Sequence, residues 1–374
     1  MSYFFLDDYQ NMESYIPGEQ PRDREYIKLN ANESSIPPSP RVLDAISKAQ
    51  INNMAHYSDP HCTNLRKTIG EAYDFPMEQV FVGNGADEVI GFCMMSFFRP
   101  GMNICFPDIT YDFYRTYAKT YQLDFEQFPL MDDLTICIDD YVNTDRDVIL
   151  ANPNNPTGKV ISVEEIERIV AKNPKRMVII DEAYVDYGAQ SCISLVHQYS
   201  NLVVIQTFSK SRNLAGARIG FAISSPDIIS DMNKIKFSFN PFNMSTITMA
   251  AGVAAILDQD YFKNCIQIIL DNRNYFEENL EKMGFETVKT HTNFTFATHP
   301  NLDAGKMCRA LKEHGILVRH FPVERVDNYL RITIGTREEM REVLSKISAI
   351  MSNAPQVYIV PPQEFLTIRV GEAG

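Results

Sequence analysis

The run TFSKSRNLAGARIG, residues 207–220, sets Thr207, Ser209 and Lys210 just past the apolar stretch Leu202 to Ile205, then passes through small residues to Arg218. An ammonium is strongly hydrated and costly to enclose without a partner, so a lysine at the exit of an apolar strand reads as part of a site. An amine that attacks a carbonyl must be partly neutral. Enclosure beside a second cation, here Arg218, lowers the pKa of such an amine at about 1.4 kcal/mol per unit.

Three more segments carry groups of complementary kind. GNGADE, residues 83–88, follows an apolar run and opens a helix, so free backbone N–H groups and the helix dipole would face an anion at the turn. NPNNPTG, residues 152–158, has two Asn-Pro steps that hold a loop and present Asn155 as a donor. MVIIDEAY, residues 177–184, leaves a buried run with Asp181, and Tyr184 can offer a phenol to the same side. Each has a plain alternative: a connecting turn, a rigid turn, a helix-capping aspartate. Together they fit one chemistry. If the carbonyl is that of pyridoxal phosphate, Lys210 supplies the Schiff-base amine and Asp181 keeps the pyridine nitrogen protonated. Ser209, Arg218 and the GNGADE turn then take a phosphate of about two negative charges. Tyr111, in DITYDFY, would lie on the ring.

The elements that must position these residues follow from the periodicity. Short Val- and Ile-rich runs (80–83, 103–106, 147–152, 177–181, 202–207, 219–223) alternate with helical segments, one of them SVEEIERIVAK with Ser162 and Glu165 as a capping box. That alternation predicts an α/β fold with a largely parallel sheet, whose ligands bind beyond the carboxyl ends of the strands. After residue 225 long helices are expected at about 241–258 and 260–283, and from about 285 the order strand, strand, helix, strand, strand, helix suits a small α+β domain. Among 374 residues, 45% are hydrophobic, enough for a sizeable core, and 35 basic against 48 acidic side chains leave a charge of −13. That balance argues against nucleic acid or an anionic membrane as partner. There is no apolar stretch near bilayer length and the start is acidic, so a cytoplasmic protein is expected. Seven scattered cysteines and no clustered histidines make a disulfide scaffold or a metal site improbable, and the thiols read as core filler.

With these motifs in order, the chain resembles the fold type I, pyridoxal-phosphate-dependent aminotransferases and, within them, the histidinol-phosphate aminotransferase family. The residues that carry the resemblance are YIPGEQP (15–21), KLNANES (28–34), HYSDP (56–60), GNGADE, ANPNNPTG (151–158), IDEAYVDY (180–187), the lysine run, PFNMST (241–246) and YLRITIGTREEM (329–340). The resemblance implies a large domain around a mostly parallel seven-stranded sheet plus a smaller α+β domain. Residues 1–40 would form an N-terminal arm, 41–280 the large cofactor domain with bridging helices, and 281–353 the small domain; the tail 354–374 has no assigned role. It implies Lys210 as the cofactor-bound base and Asp181 as partner of the pyridinium, with Asn155 and Tyr184 on the cofactor hydroxyl and Tyr111 on the ring. Gly85, Ala86, Asp87, Thr207, Ser209 and Arg218 would surround the phosphate. Tyr57 would reach the phosphate of a neighbouring subunit in a homodimer, while Tyr15, Arg319 and Arg331 would face the acidic end of the substrate.

The implied reaction passes an amino group between L-histidinol phosphate and 2-oxoglutarate, with an aromatic or broad-specificity aminotransferase as the nearest alternative. A decarboxylase and a cofactor-binding regulator without turnover stand further off. Two stretches depart from the family pattern. Ser34 to Pro38 replace N-P-x-G-P at the site mouth, and Ser211, Arg212 and Asn213 replace Ala, Phe, Gly, which would set an extra arginine beside the site.

Overall fold

A computed structural model describes residues 18–47, 51–353 and 357. In chain order its strands are β1 (Ile27–Lys28), β2 (Val80–Gly83), β3 (Asn103–Pro107), β4 (Asp124–Phe128), β5 (Asp147–Ala151), β6 (Val178–Asp181), β7 (Leu202–Thr207), β8 (Gly220–Ile223), β9 (Glu286–Val288), β10 (Phe294–Thr298), β11 (Ile316–Leu317), β12 (Arg319–His320) and β13 (Tyr329–Thr333). The central seven-stranded sheet runs β2-β8-β7-β6-β5-β3-β4. Only β8 opposes its neighbours; every other pair is parallel. The mostly parallel α/β architecture is therefore the one the alternating runs predicted.

Strands β5 to β8 are apolar because both faces of the sheet are covered. Ile149, Ile179, Val203 and Ala222 point to one side, where the helices Ala86–Phe97, Phe113–Thr120 and Pro226–Phe239 pack. Their neighbours Val148, Leu150, Val178 and Val204 point to the other, against the helices Thr63–Tyr73, Val163–Lys172 and Thr246–Leu257. Strand β4 was not visible in the apolar runs, since as an edge strand its sequence DFEQF leaves no residue fully buried. The cysteines behave as core filler for the most part: Cys62, Cys93, Cys105, Cys192 and Cys265 are buried.

Helix ends follow their caps. Ser162 Oγ accepts the Glu165 N–H at 3.2 Å and the Glu165 carboxylate accepts the Ser162 N–H at 2.9 Å, so the expected capping box is formed. Ser162→Ala is expected to lower stability by about 1 kcal/mol with no effect on the site, read by urea denaturation. The helix expected from about 241 begins instead at Thr246, where Ser245 accepts the Thr248 N–H at 3.0 Å.

A second, antiparallel sheet runs β12-β13-β10-β9 and is backed by the helices Ala304–Glu313 and Arg337–Asn353. The helix Gln259–Lys282 sends Ile269, Phe276 and Leu280 into the core of this part. Strand β1 pairs in parallel with β11, which ties the start of the described chain to the same part and draws residues 29–33 beneath the cavity described next. Val357 is buried in that core and its carbonyl accepts the Asp303 N–H at 2.8 Å. Tyr15, and all of the tail 354–374 except Val357, lie outside the described residues. Among the described residues no helix is long and apolar enough to cross a membrane.

Candidate active site

The carboxyl ends of β2, β3, β5, β6 and β7 open on one cavity of about 380 Å³. It is lined by Ala86, Asp87, Tyr111, Asn155, Asp181, Tyr184, Thr207, Ser209, Lys210 and Arg218, all expected from the sequence. An adjoining cavity of about 200 Å³ shares Tyr111, Asn155, Tyr184 and Lys210 with it and adds Arg319 and Arg331. The arrangement is a bottom of mixed charge with an arginine-bearing annex.

Asp181 ends β6 on the floor. It is 6% exposed; its Oδ2 accepts the Tyr114 hydroxyl at 2.9 Å and its Oδ1 the Ala183 N–H at 3.1 Å. Burial pushes its carboxyl up to about 6, against the pull of those two hydrogen bonds. A carboxylate held this way lowers its energy most by meeting a cation, such as a protonated ring nitrogen.

Lys210 follows β7. Its Nζ lies 3.4 Å from the Ala31 carbonyl, to which it donates, and 5.6 Å from the centre of the Tyr184 ring. The Tyr184 hydroxyl accepts the Asn32 amide at 2.8 Å. Asn155 accepts Arg331 Nη1 at 2.7 Å through Oδ1, so its own amide N–H groups remain the donors that the sequence assigned to it.

At one end of the cavity the helix Ala86–Phe97 starts with Gly85 as its N-cap. Gly85 has φ +93°, which strains any other residue, and a Cβ there would stand 2.3 Å from Arg218 Nη2 and displace the guanidinium. Gly220 is fixed by backbone, because its Cβ would meet the Ala86 nitrogen at 2.3 Å. The close approach brings the helix start against the strand that follows Arg218. Arg218 Nη2 pairs with Asp87 Oδ2 at 3.1 Å, Tyr111 donates to Asp87 Oδ1 at 3.1 Å, and Thr207 donates to Ser209 Oγ at 3.0 Å. First-turn amides, two hydroxyls and a guanidinium thus converge where a small dianion fits.

In the annex, Arg331 is buried, with its Nη2 donating to the Asn30 carbonyl at 2.9 Å and its guanidinium 5.3 Å from the Phe321 ring centre. Arg319 is half-buried and 5.6 Å from the same ring. Tyr57 stands outside this chain's cavity: it is 84% exposed and stacked on Phe242 with ring centres 4.5 Å apart.

The sequence reading missed Tyr114, the Asn32 amide and the Ala31 carbonyl. Tyr114 had a signal, since it lies three residues beyond Tyr111 in a helical run; the other two are backbone or amide groups that only the fold brings near. One expectation is corrected. Arg212 does not face the site: it is buried behind the lysine loop, its guanidinium 4.0 Å from the Phe262 ring centre and donating to the Ala255 carbonyl at 3.0 Å.

A strand-edge cavity with a lysine, a buried carboxylate and an anion-binding helix start defines a class, and the comparison with known families agrees. Residues 24–347 match the model of the aminotransferases class I and II, and the chain belongs to that family. It is 43% identical over 354 residues to the histidinol-phosphate aminotransferase of Brachyspira hyodysenteriae, covering 94% of this chain and 100% of the relative. To that of Clostridium beijerinckii it is 44% identical over 353 residues, covering 94% and 99%. Among solved structures, the histidinol-phosphate aminotransferase of Sinorhizobium meliloti in complex with pyridoxal-5'-phosphate superposes with a TM-score of 0.80 at 26% identity, over 88% of this chain and 92% of that one.

Proposed function

We propose that this chain is a pyridoxal-phosphate-dependent transaminase that passes the amino group of L-histidinol phosphate to 2-oxoglutarate, giving imidazole acetol phosphate and glutamate. The observation that carries the chemistry is that Lys210, the Asp181 carboxylate, Arg218 and the helix start at Ala86 line one cavity. The likeness to two histidinol-phosphate aminotransferases over nearly their whole length supports the substrate.

The residues present fit the cofactor. Gly85 leaves the space at the helix start that a Cβ would fill, and Asp181 is a buried carboxylate in need of a cation. Ala86 and Asp87 amides, Thr207, Ser209 and Arg218 would hold the phosphate, with the Arg218 guanidinium shared between it and Asp87. Tyr111 would cover the ring, and Asn155 and Tyr184 would hydrogen-bond its hydroxyl. When bound, pyridoxal phosphate supplies a carbonyl that condenses with amines and a ring that accepts the electron pair left when the substrate Cα–H bond breaks. Asp181 would pair with the protonated ring nitrogen and so favour that acceptance. Lys210 Nζ would take the proton that leaves the substrate Cα. Arg331 and Arg319 bind the anionic end of the substrate in the annex, where a planar guanidinium suits either a phosphate ester or a carboxylate. Tyr15 is assigned to the same end by resemblance.

The working unit is a homodimer, operating in the cytoplasm, in which Tyr57 enters the neighbour's site. Its support is the exposed stack of Tyr57 on Phe242, with Met54 and Phe239, near them in sequence, exposed as well. The test of function is a single-turnover visible spectrum of the cofactor-loaded protein. Rapid bleaching of the yellow band by L-histidinol phosphate and none by phenylalanine is expected; bleaching by phenylalanine alone would move the protein to the aromatic transaminases.

A further inference from the structure

Behind the cavity, the residues next to the site residues meet in a polar layer of their own. Glu182 follows Asp181, Gln206 precedes Thr207, and Ser211 and Arg212 follow Lys210. All four are buried, Glu182 with 1% exposure and Arg212 with 7%. Adjacent residues of a strand point to opposite faces, so the site residues at the ends of β6 and β7 leave Glu182 and Gln206 to the other face, and the turn after Lys210 brings Ser211 and Arg212 there too.

The layer is hydrogen-bonded throughout. Glu182 accepts the Gln206 amide at 2.8 Å, the Ser191 hydroxyl at 2.5 Å and the Cys192 N–H at 2.7 Å. Tyr73 donates to Gln206 Oε1 at 2.9 Å, and Ser211 donates to Asp186 Oδ2 at 2.5 Å. Asp186 lies two residues beyond Tyr184. The carboxyls of Glu182 and Asp186 are both pushed up by burial; the Ser211 hydroxyl and, after it, the Arg212 guanidinium pull Asp186 back down. Tyr73 is pushed up to about 12, mainly by burial and then by Asp186, while Arg212 opposes the shift. On its far side Arg212 shares a crevice with Asp258, which accepts the Ser39 hydroxyl and has Arg41 at 3.9 Å.

We infer that Arg212 is a positioning residue for the base. Its guanidinium is the cation of a layer that holds the carboxylate accepting Ser211, and its bond to Ala255 anchors the chain just beyond that serine, so that Lys210, which precedes both, stays aimed into the cavity. Arginine suits the place because its plane can stack on Phe262 while its edge donates to a carbonyl. This inference rests on the transaminase reading of Lys210. It also gives the Ser211–Arg212 departure from the family pattern a task, which is support of the lysine loop from behind.

The test compares R212M, R212K and the double variant R212M/D186N in the cofactor-loaded protein with L-histidinol phosphate as donor. Asparagine keeps the acceptor for Ser211 and removes a carboxylate charge from the layer that loses the arginine. R212M is expected to lower kcat by about tenfold or more, since small misplacements of a catalytic group cost up to about a hundredfold. KM for the donor is expected to stay within about threefold, because the annex is untouched. R212K should retain most of kcat, and R212M/D186N should regain most of the loss. In the cofactor-free protein the thermal midpoint should fall in R212M and recover in the double variant, a reading independent of activity. Wild-type kcat in R212M, R212K as slow as R212M, or no recovery in the double variant overturns the inference. Should R212M fail to accumulate as folded protein, the double variant decides: folded and active protein supports the charge offset, and its failure to fold overturns it. An error in the transaminase reading shows separately, as absence of amino transfer in the unaltered protein.

Discussion

Lys210→Ala is expected to lower steady-state amino transfer by at least ~10³-fold while the protein still binds pyridoxal phosphate. Binding survives because most of the contacts that would hold the cofactor lie elsewhere. The helix start at Gly85, the hydroxyls of Thr207 and Ser209, Arg218 and Asp181 line the cavity independently of the lysine. Turnover fails because neither described group that Lys210 Nζ touches can take over its proton transfer. Lys210 Nζ is 3.4 Å from the Ala31 carbonyl, which accepts hydrogen bonds but takes no proton, and the Tyr184 phenol is already engaged by Asn32 at 2.8 Å. Two measurements check this: cofactor affinity by fluorescence titration, and glutamate formed from 2-oxoglutarate with L-histidinol phosphate as donor. Turnover within tenfold of the unaltered protein would sink the assignment of Lys210 as the base. Loss of cofactor binding together with turnover would show instead that the covalent bond, not the cradle, holds the cofactor.

How much of this was legible beforehand depends on what each contact is made of. Asp181, Lys210, Asn155 and the Gly85 turn are each announced by a few consecutive residues, an apolar run followed abruptly by a polar group. A parallel sheet gathers such exits at one edge by its own geometry, so the composition of the cavity could be read without knowing the strand order. The partners of those residues are another matter. Tyr114 reaches Asp181 across 67 positions, Asn32 reaches Tyr184 across 152 and the Ala31 carbonyl meets Lys210 across 179. No local pattern encodes such distances. The pairing of β1 with β11 is of the same kind, two residues long on each strand and without any periodicity to reveal it. Arg212 was misread for a related reason: its place two residues from Lys210 suggested a place beside the site. The turn after Lys210 carries both Ser211 and Arg212 away from the cavity, and the arginine found two aromatic rings and a helix-end carbonyl behind it.

Asp181→Asn is expected to act in opposite directions on activity and on stability, which makes it the most discriminating single change in the cavity. Amino transfer should fall by about 10²–10³-fold, because the ring nitrogen loses the anion that keeps its proton in place and the electron pair left on Cα is accepted less well. In the cofactor-free protein the same change should stabilise the fold. The Asp181 carboxyl is pushed up to about 6 from an ordinary value of 3.8, so between those values the folded chain holds a proton that the unfolded chain has released. Stability is therefore lost as pH rises through that window, and above it the folded protein carries the full cost of a buried carboxylate, about 3 kcal/mol. Asparagine carries no such cost. It can still accept the Ala183 N–H through its carbonyl, and its amide can donate to Tyr114, whose hydroxyl then turns to accept. The thermal midpoint of the cofactor-free variant should lie above that of the unaltered protein at pH 8, with the gap narrowing as pH falls toward 4. Cofactor binding should shrink or reverse the difference, since only the aspartate meets a cation. A variant that is less stable than the unaltered protein at pH 8 without cofactor would mean that Asp181 already has its charge compensated in the empty cavity, and that the pull on the ring nitrogen is correspondingly weaker.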